Sequence, residues 1–357
     1  MEWKISEAID SLISILDYND SLPATANDQS RVVPYLVSGA GVGKTSAVKQ
    51  ACERSGRGLE ILHLATYNPT QVGGDKIPNK DGTETNQTKP IFIKNIERKI
   101  AEGYKTGVIF LDELAQAITA TLNVTRPLIL EKRIGEWALP EGWQVVCAGN
   151  RLSDKAGVNA LPSHVKDVLT YIPIAPDLED TLSYFAKIGL DFKVNAYLRA
   201  RPNFYYLNDP TQDVCYTPRA WEKVGHILRI KGLNKVTLMK TIAGTVGESA
   251  TNDFIAFLKL IGSVPEFLDL DKLINNPDTA TIPEKVDVLY ALCGAISTKA
   301  NEKNFDNIVK YISRFKEINK DEMAVVVIKD AIRRNPELLK NKAYKEWVRN
   351  SGRELIV

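Results

Sequence analysis

The sequence predicts an α/β fold, a mostly parallel sheet covered by helices, followed by a helical second half. Short apolar segments alternate with helical periodicity as far as Pro176, a pattern typical of parallel strands joined by helices. From Leu178 onward only helical periodicity remains, and prolines interrupt it. We therefore place a domain boundary near Pro176, which suits a chain of 357 residues.

The elements of the first half follow from local patterns. Apolar residues at helical spacing begin the chain and predict an amphipathic helix: Ile5, Ile9, Leu12, Ile13 and Leu16. Short apolar segments predict five strands: Val32–Val37, Leu59–Leu64, Val108–Leu111, Gln144–Ala148 and Leu169–Ile174. The stretch Asn68–Lys89 is polar and rich in Gly, Pro, Asn and Asp, so we expect a long surface loop there.

Composition excludes several classes of protein. With 44% hydrophobic and 25% charged residues the chain is neither collagen-like nor disordered. Its 46 basic and 44 acidic residues leave a net charge of +2, which gives no electrostatic argument for bulk binding to nucleic acid or membrane. No apolar run approaches the length of a membrane span, so we expect a cytoplasmic protein.

Cysteine and histidine give no sign of a metal or disulfide site. The four cysteines are widely spaced and form no Cys-x-x-Cys pair, which predicts buried thiols in a reducing compartment: Cys52, Cys147, Cys215 and Cys293. The three histidines are isolated and are interpreted as packing or surface residues: His63, His164 and His226.

A glycine-rich segment follows the first predicted strand and precedes a helical pattern from Ala47 to Arg54. This is the arrangement of a phosphate-binding loop, in which backbone N–H groups and the start of a helix face phosphate oxygens. The residues predicted to bind ATP are Gly39, Ala40, Gly41, Val42, Gly43, Lys44, Thr45 and Ser46. Lys44 is expected to reach the β- and γ-phosphates, and the Thr45 hydroxyl to bind Mg²⁺. Ser38 departs from the motif, which has glycine six positions before the lysine. The alternative is a chance glycine turn before a helix.

Polar residues end the third and fourth predicted strands. Asp112 and Glu113 close the third strand, where Asp112 would hold Mg²⁺ through water and Glu113 would polarise the attacking water. The alternative for this pair is a solvated turn or a helix cap. Asn150 closes the fourth strand and could bond the attacking water or the γ-phosphate, while Gly149-Asn150 as a simple tight turn is the alternative.

In this order the three strand-end elements resemble those of the AAA+ ATPases, and further segments resemble the MoxR-like branch of that family. Glu131–Trp143 is similar to its hairpin, and Val145–Arg151 to its sensor-1 strand. Tyr216–Trp221 resembles its sensor-2 motif. Other segments fall where that group has comparable residues: Leu161–Ser163, Pro176–Asp180, Ala243–Gly247 and Phe254–Phe257.

The resemblance implies a five-stranded sheet of order 5-1-4-3-2 in residues 1–176, a helical lid in residues 177–262 and a helical extension in residues 263–357. Asp112 and Glu113 would be the Walker B pair, Asn150 sensor 1 and Arg219 sensor 2. A sensor-2 guanidinium can fork onto phosphate oxygens and couple the lid to the γ-phosphate. The implied activity is that of a Mg²⁺-dependent ATPase, a chaperone-like remodelling or assembly motor. It would act as a hexameric ring on a protein client, beside a partner with a von Willebrand factor A domain.

One departure affects the expected rate of hydrolysis. Family members usually place an Arg-Phe pair where this chain has Val168-Leu169, and that arginine reaches the γ-phosphate of the neighbouring subunit. Its absence predicts a slow enzyme, since such an arginine raises the rate of hydrolysis about 10³- to 10⁵-fold in other NTPases. Four residues could substitute for it: Arg151, Lys166, Arg199 and Arg201. Three others could line a central pore or form a solvated face: Arg126, Lys132 and Arg133.

Two other functions remain open. A DNA-acting AAA+ protein, such as a loader, helicase or restriction motor, is disfavoured by the net charge of +2 and by the lack of a helix-turn-helix or zinc module. A nucleotide-dependent scaffold that hydrolyses weakly is suggested by Val168, but Asp112 and Glu113 are both present.

Overall fold

The computed structural model describes residues 2–23, 30–152, 160–209, 211–262 and 269–352. The chain divides into two compact units. The first comprises Met1–Pro176 with Asn208–Pro210, and the second comprises Asp177–Leu207 with Thr211–Val357. Among the described residues, no helix combines the length and the apolar character that crossing a bilayer requires.

The first unit alternates strands and helices. In chain order its elements are α1 (Ile5–Ser21), β1 (Pro34–Ser38), α2 (Lys44–Ser55), β2 (Gly58–His63), α3 (Pro69–Gly73), β3 (Lys76–Pro78), β4 (Thr85–Gln87), α4 (Ile91–Ala101), β5 (Gly107–Asp112), α5 (Thr119–Glu131), β6 (Arg133–Ile134), β7 (Trp137–Ala138), β8 (Trp143–Asn150), α6 (Ser163–Lys166) and β9 (Thr170–Pro173).

Five of these strands form one parallel sheet of order β2-β5-β8-β1-β9. Counted along the chain they are strands 2, 3, 4, 1 and 5, so the predicted order 5-1-4-3-2 is confirmed. All five predicted strands are present, each within two residues of its expected ends. An α/β P-loop sheet followed by a helical part is therefore the fold of this chain.

The prediction of a plain surface loop over Asn68–Lys89 was wrong, because this stretch contains α3 and the antiparallel hairpin of β3 and β4. Asn68 caps α3 by accepting a hydrogen bond from the backbone N–H of Gln71, and Pro69 occupies its first position. A second short hairpin joins β6 and β7 through Gly135, whose φ of 56° requires the left-handed region.

The core of the first unit lies around the sheet, and one close approach in it explains a glycine. Trp143 is fully buried at the start of β8 and pairs in register with Gly107 of β5. A Cβ atom at position 107 would lie 2.6 Å from the indole ring, so no larger residue fits without displacing Trp143.

The second unit is helical. Its helices are α7 (Leu178–Lys187), α8 (Phe192–Ala200), α9 (Pro218–Ile227), α10 (Lys235–Val246), α11 (Glu248–Gly262), α12 (Leu270–Asn275), α13 (Val286–Lys299), α14 (Phe305–Ser313), α15 (Asp321–Arg334) and α16 (Lys342–Trp347).

Two apolar clusters hold the second unit together. One surrounds Tyr197 and Trp221, and the other surrounds Phe305 and Tyr311. Helix α13 contributes to both clusters and buries nine of its residues, so it connects the two halves of this unit.

All four cysteines are free thiols, and three of them are buried as predicted: Cys52, Cys147 and Cys293. Cys215 is only half-buried, which corrects the expectation for that residue. Burial raises the pKa of the Cys52 thiol to about 12 and raises the pKa of Cys147 and Cys293 far above the ordinary value.

Candidate functional site

The glycine-rich loop connects the end of β1 at Ser38 to the start of α2 at Lys44. Two of its glycines need the left-handed backbone region, with φ of 71° at Gly41 and 116° at Gly43. Gly43 precedes α2 directly, so the loop leads into a helix amino terminus whose first N–H groups have no partner inside the helix. This geometry suits an anion such as a phosphate.

Ser38 occupies a position that does not need glycine. Its backbone lies outside the left-handed region, and its side chain is fully buried at the strand end. The Ser38 hydroxyl donates to the carbonyl oxygen of Gly39 at 2.9 Å and accepts a hydrogen bond from Lys44 Nζ at 3.1 Å. The departure from the motif therefore leaves the loop conformation intact.

Lys44 connects the loop to the neighbouring strand. Its ammonium donates to the carbonyl oxygens of Ser38 and Gly39 at 3.1 and 3.2 Å. It also donates to Asn150 Oδ1 at 2.8 Å. Asn150 ends β8 in register with Ser38 of β1. The structure thus brings Lys44 and Asn150 together, as the interpretation of both as nucleotide-facing residues requires.

Thr45 and Asp112 form a pair of oxygen ligands. Asp112 is buried at the end of β5, and its Oδ2 accepts a hydrogen bond from the Thr45 hydroxyl at 2.7 Å. Hydroxyl and carboxylate oxygens are ligands that Mg²⁺ prefers, and neighbouring ligands of an octahedral Mg²⁺ lie about 2.9 Å apart. The two residues therefore fit a magnesium ion.

Glu113 has an unusual backbone conformation for a residue other than glycine. Its φ is 59° and its ψ 35°, in the left-handed region, and its N–H donates to Asp112 Oδ1 at 3.0 Å. A conformation of this kind costs about 1–3 kcal/mol and is concentrated at functional sites. No described residue bonds the half-buried Glu113 carboxylate, which leaves it able to accept a proton from water.

His63 is a neighbour of this site that the sequence interpretation missed. It ends β2 in register with Asp112, and its Nδ1 lies 3.8 Å from Asp112 Oδ2. The predicted strand order places the end of β2 beside the end of β5, and that was the signal available for finding it.

Arg219 belongs to the second unit, in the first turn of α9, and its side chain is exposed. Its role towards a nucleotide stays a prediction.

The proposed substitutes for the missing arginine differ in their surroundings. Arg199 is buried and forms a bidentate pair with Asp330. Burial lowers the pKa of its guanidinium, but Asp330 and then Glu179 outweigh this and hold the pKa above its ordinary value. Arg201 is similarly held by Asp287, at 2.7 and 2.9 Å.

Arg151 lies 2.6 Å from the Glu2 carboxylate, whereas Lys166 is exposed at the end of α6. Arg199 and Arg201 are thus committed to pairs within the second unit and are poor substitutes.

Comparisons with known proteins assign no family to this chain. No protein-family model matches the sequence, and no curated protein matches it. Among solved structures, PCH-2 from C. elegans matches with 12% identity and a TM-score of 0.35 over 73% of this chain and 70% of that one.

Two Thermotoga maritima proteins match at 13% identity with TM-scores of 0.33. The match to a DNA polymerase III gamma subunit-related protein spans 91% of this chain and 98% of that protein. The match to a RuvB mutant spans 94% of this chain and 87% of that protein. Scores of this size support no conclusion, so the fold assignment rests on the strand order.

Proposed function

We propose that this chain is a Mg²⁺-dependent ATPase of the AAA+ class, of the MoxR-like branch. One observation carries the proposal: two hydrogen-bonded pairs, Lys44–Asn150 and Thr45–Asp112, lie at the carboxyl ends of β1, β5 and β8. In open α/β sheets this edge is where ligands bind.

Each residue has a role that follows from its chemistry. The Lys44 ammonium binds the β- and γ-phosphates, which as charged acceptors replace the neutral oxygens it contacts here. Thr45 and Asp112 hold the metal, and bound Mg²⁺ neutralises charge on the phosphates. Glu113 takes the proton of the attacking water, and the Asn150 amide orients that water or the γ-phosphate.

The resemblance to MoxR-like proteins supports the finer parts of the proposal. The chain would assemble into a ring, most simply a hexamer, and remodel or assemble a protein client. A protein with a von Willebrand factor A domain would be its partner. Arg219 would couple the lid to the bound nucleotide. A cytoplasmic location fits these roles.

A nucleotide-dependent scaffold with weak hydrolysis is the second candidate function. Val168 is half-buried and packs against the apolar core of the first unit, so the position expected for the trans-acting arginine carries no charge. The pairing of Arg199 and Arg201 with aspartates removes two of the four substitutes.

Measuring the ATP affinity of site variants tests the proposed ATP site. Lys44→Ala should lose most ATP affinity, and Thr45→Val should lose the part of the affinity that depends on Mg²⁺. Thr241→Val, which removes a hydroxyl on α10, is the matched control and should bind as the wild type does. ATP binding that is equal in all four proteins would contradict the proposal.

Light scattering tests assembly. A ring needs one heterologous interface repeated through a closing rotation, and ATP at a subunit boundary would favour closure. Scattering that shows only monomer, at high protein concentration with and without Mg²⁺-ATP, would contradict the ring.

A further inference from the structure

A cavity of about 550 Å³ lies in the first unit, on the edge of the sheet away from the phosphate loop. Its lining residues mark the amino ends of three strands: Val33 directly precedes β1, Gln144 lies at the start of β8, and Thr170 begins β9. The phosphate loop follows the carboxyl end of β1. Within one chain the cavity is therefore separate from the phosphate loop.

The charges that line this cavity are mostly positive. Three cations come from different segments, Arg31 before β1, Arg126 on α5 and Lys132 after α5. Asp167 is the only acidic residue among the described lining residues. Three positive charges minus one negative charge leave a surplus of two in a chain whose charges otherwise nearly cancel.

Among the described residues, neither Arg31 nor Arg126 has an acidic partner. The Nε of Arg31 is buried without a hydrogen bond, and Arg126 makes one long contact, from Nε to the His164 carbonyl oxygen at 3.3 Å. The Nε of Arg57 is likewise buried without a hydrogen bond, but its two terminal nitrogens have carboxylate oxygens at 2.6 and 2.8 Å. Arg31 and Arg126 are half-buried, and no described carboxylate neutralises their guanidinium groups, so both remain available to an external anion.

Most of the rest of the wall is apolar. Apolar side chains line it: Ile129, Leu130, Val145, Val168 and Leu169. The amides of Asn19 and Gln144 bond each other at 2.9 Å and are not free to select a ligand. A suitable ligand therefore combines a charged group with an apolar body, and the volume lies within the range of small-molecule sites.

We propose that this cavity binds a small phosphate monoester with an apolar body, at a site independent of the phosphate loop. The surplus of two positive charges matches a phosphate monoester, which carries a charge of about −1.5 to −2 at pH 7. Guanidinium groups also match phosphate oxygens in a forked geometry.

Phenyl phosphate is the probe, with inorganic phosphate and benzoate as comparison ligands. Binding is measured by calorimetry on the full chain, both in the Lys44→Ala background and in the wild type saturated with Mg²⁺-ADP, so that the phosphate loop does not contribute. Phenyl phosphate should bind more tightly than inorganic phosphate, because the ring contacts the apolar wall. It should also bind more tightly than benzoate, which carries one charge.

Arg31→Gln and Arg126→Gln should each weaken the binding of phenyl phosphate at least tenfold. Asp167→Asn should tighten the binding of phenyl phosphate about fivefold, because an exposed negative charge near the anion is removed. The control variant Arg98→Gln changes the net charge by the same amount at an exposed arginine and should bind as the parent does. Tighter binding by Asp167→Asn cannot result from unfolding, so this variant keeps the test valid if an arginine variant is unstable.

Three results would overturn the proposal. The first is no binding of phenyl phosphate at about 10 mM, well above the range of specific sites. The second is equal weakening in the control variant Arg98→Gln, which would indicate attraction to net charge alone. The third is benzoate binding as tightly as phenyl phosphate.

Discussion

Removing the Asp330 carboxylate should destabilise the second unit strongly while leaving its surface unchanged. Asp330 and Arg199 are both almost fully buried, with side-chain exposures of 2% and 5%, and their two hydrogen bonds measure 2.7 and 3.0 Å. Asp330→Ala would leave the Arg199 charge buried with only the Glu179 carboxylate near it, 3.7 Å from its Nε. Breaking a buried pair in this way costs about 3–5 kcal/mol.

The matched test replaces both members of the pair. Arg199→Met/Asp330→Leu removes both charges and keeps apolar volume, so its stability should lie within about 1–2 kcal/mol of the wild type or exceed it. The exposed pair Lys340–Glu337 is the control, and Glu337→Ala should change stability by less than about 1 kcal/mol.

Urea unfolding followed by tryptophan fluorescence and circular dichroism gives these values, with the transition of the second unit fitted separately because the chain has two units. If Asp330→Ala and the double variant were equally unstable, the loss would come from packing and the argument from an unpaired charge would be refuted. The double variant should also retain ATP hydrolysis, because Arg199 is assigned here to structure. Loss of turnover in a stably folded double variant would instead make Arg199 a catalytic substitute.

Three further predictions follow from packing, burial and the missing arginine. Gly107→Ala should lower stability by about 1–3 kcal/mol in thermal unfolding, since its Cβ would meet Trp143, whereas Gly244→Ala, with open space around it, should be neutral or stabilising. At pH 9 only Cys215 should react quickly with a thiol reagent, because the buried thiols have raised pKa values and stay protonated; rapid labelling of all four cysteines in the native protein would contradict this. Basal ATP turnover should be slow, and Val168→Arg with Leu169→Phe should accelerate it per assembled site; a fast wild type would show that another residue, or none, fills that role.

The sheet was predictable because its signals are local. Each strand is a short apolar segment bounded by polar or glycine residues, and parallel strands buried on both faces carry that pattern plainly. The strand order came from the resemblance of the strand-end motifs to a family, since apolar segments alone do not specify which strands are neighbours.

Two features needed the structure. The hairpin of β3 and β4 has two short, mostly exposed strands with Ile77 as their one large apolar residue, so no apolar alternation marks it in the sequence. His63 comes close to Asp112 only because β2 and β5 pair in register, a contact between residues 63 and 112 that no local pattern encodes.

The arginine substitutes also show the limit of sequence reasoning. Arg199 and Arg151 are the same residue type in the sequence, yet Arg199 is buried against Asp330 and Arg151 is half-buried beside Glu2. The partner of Arg199 is 131 residues away in the chain, so the pairing depends on how α8 and α15 pack.

The central claim is that this site hydrolyses ATP with Glu113 as the base. The most direct measurement is steady-state phosphate release by the wild type and by Glu113→Gln, with ATP binding measured on the same samples. Glu113→Gln should bind ATP as the wild type does and hydrolyse it about 10² to 10⁴ times more slowly, because glutamine keeps the shape of the glutamate side chain and cannot accept the proton. Turnover by Glu113→Gln equal to that of the wild type would contradict the claim.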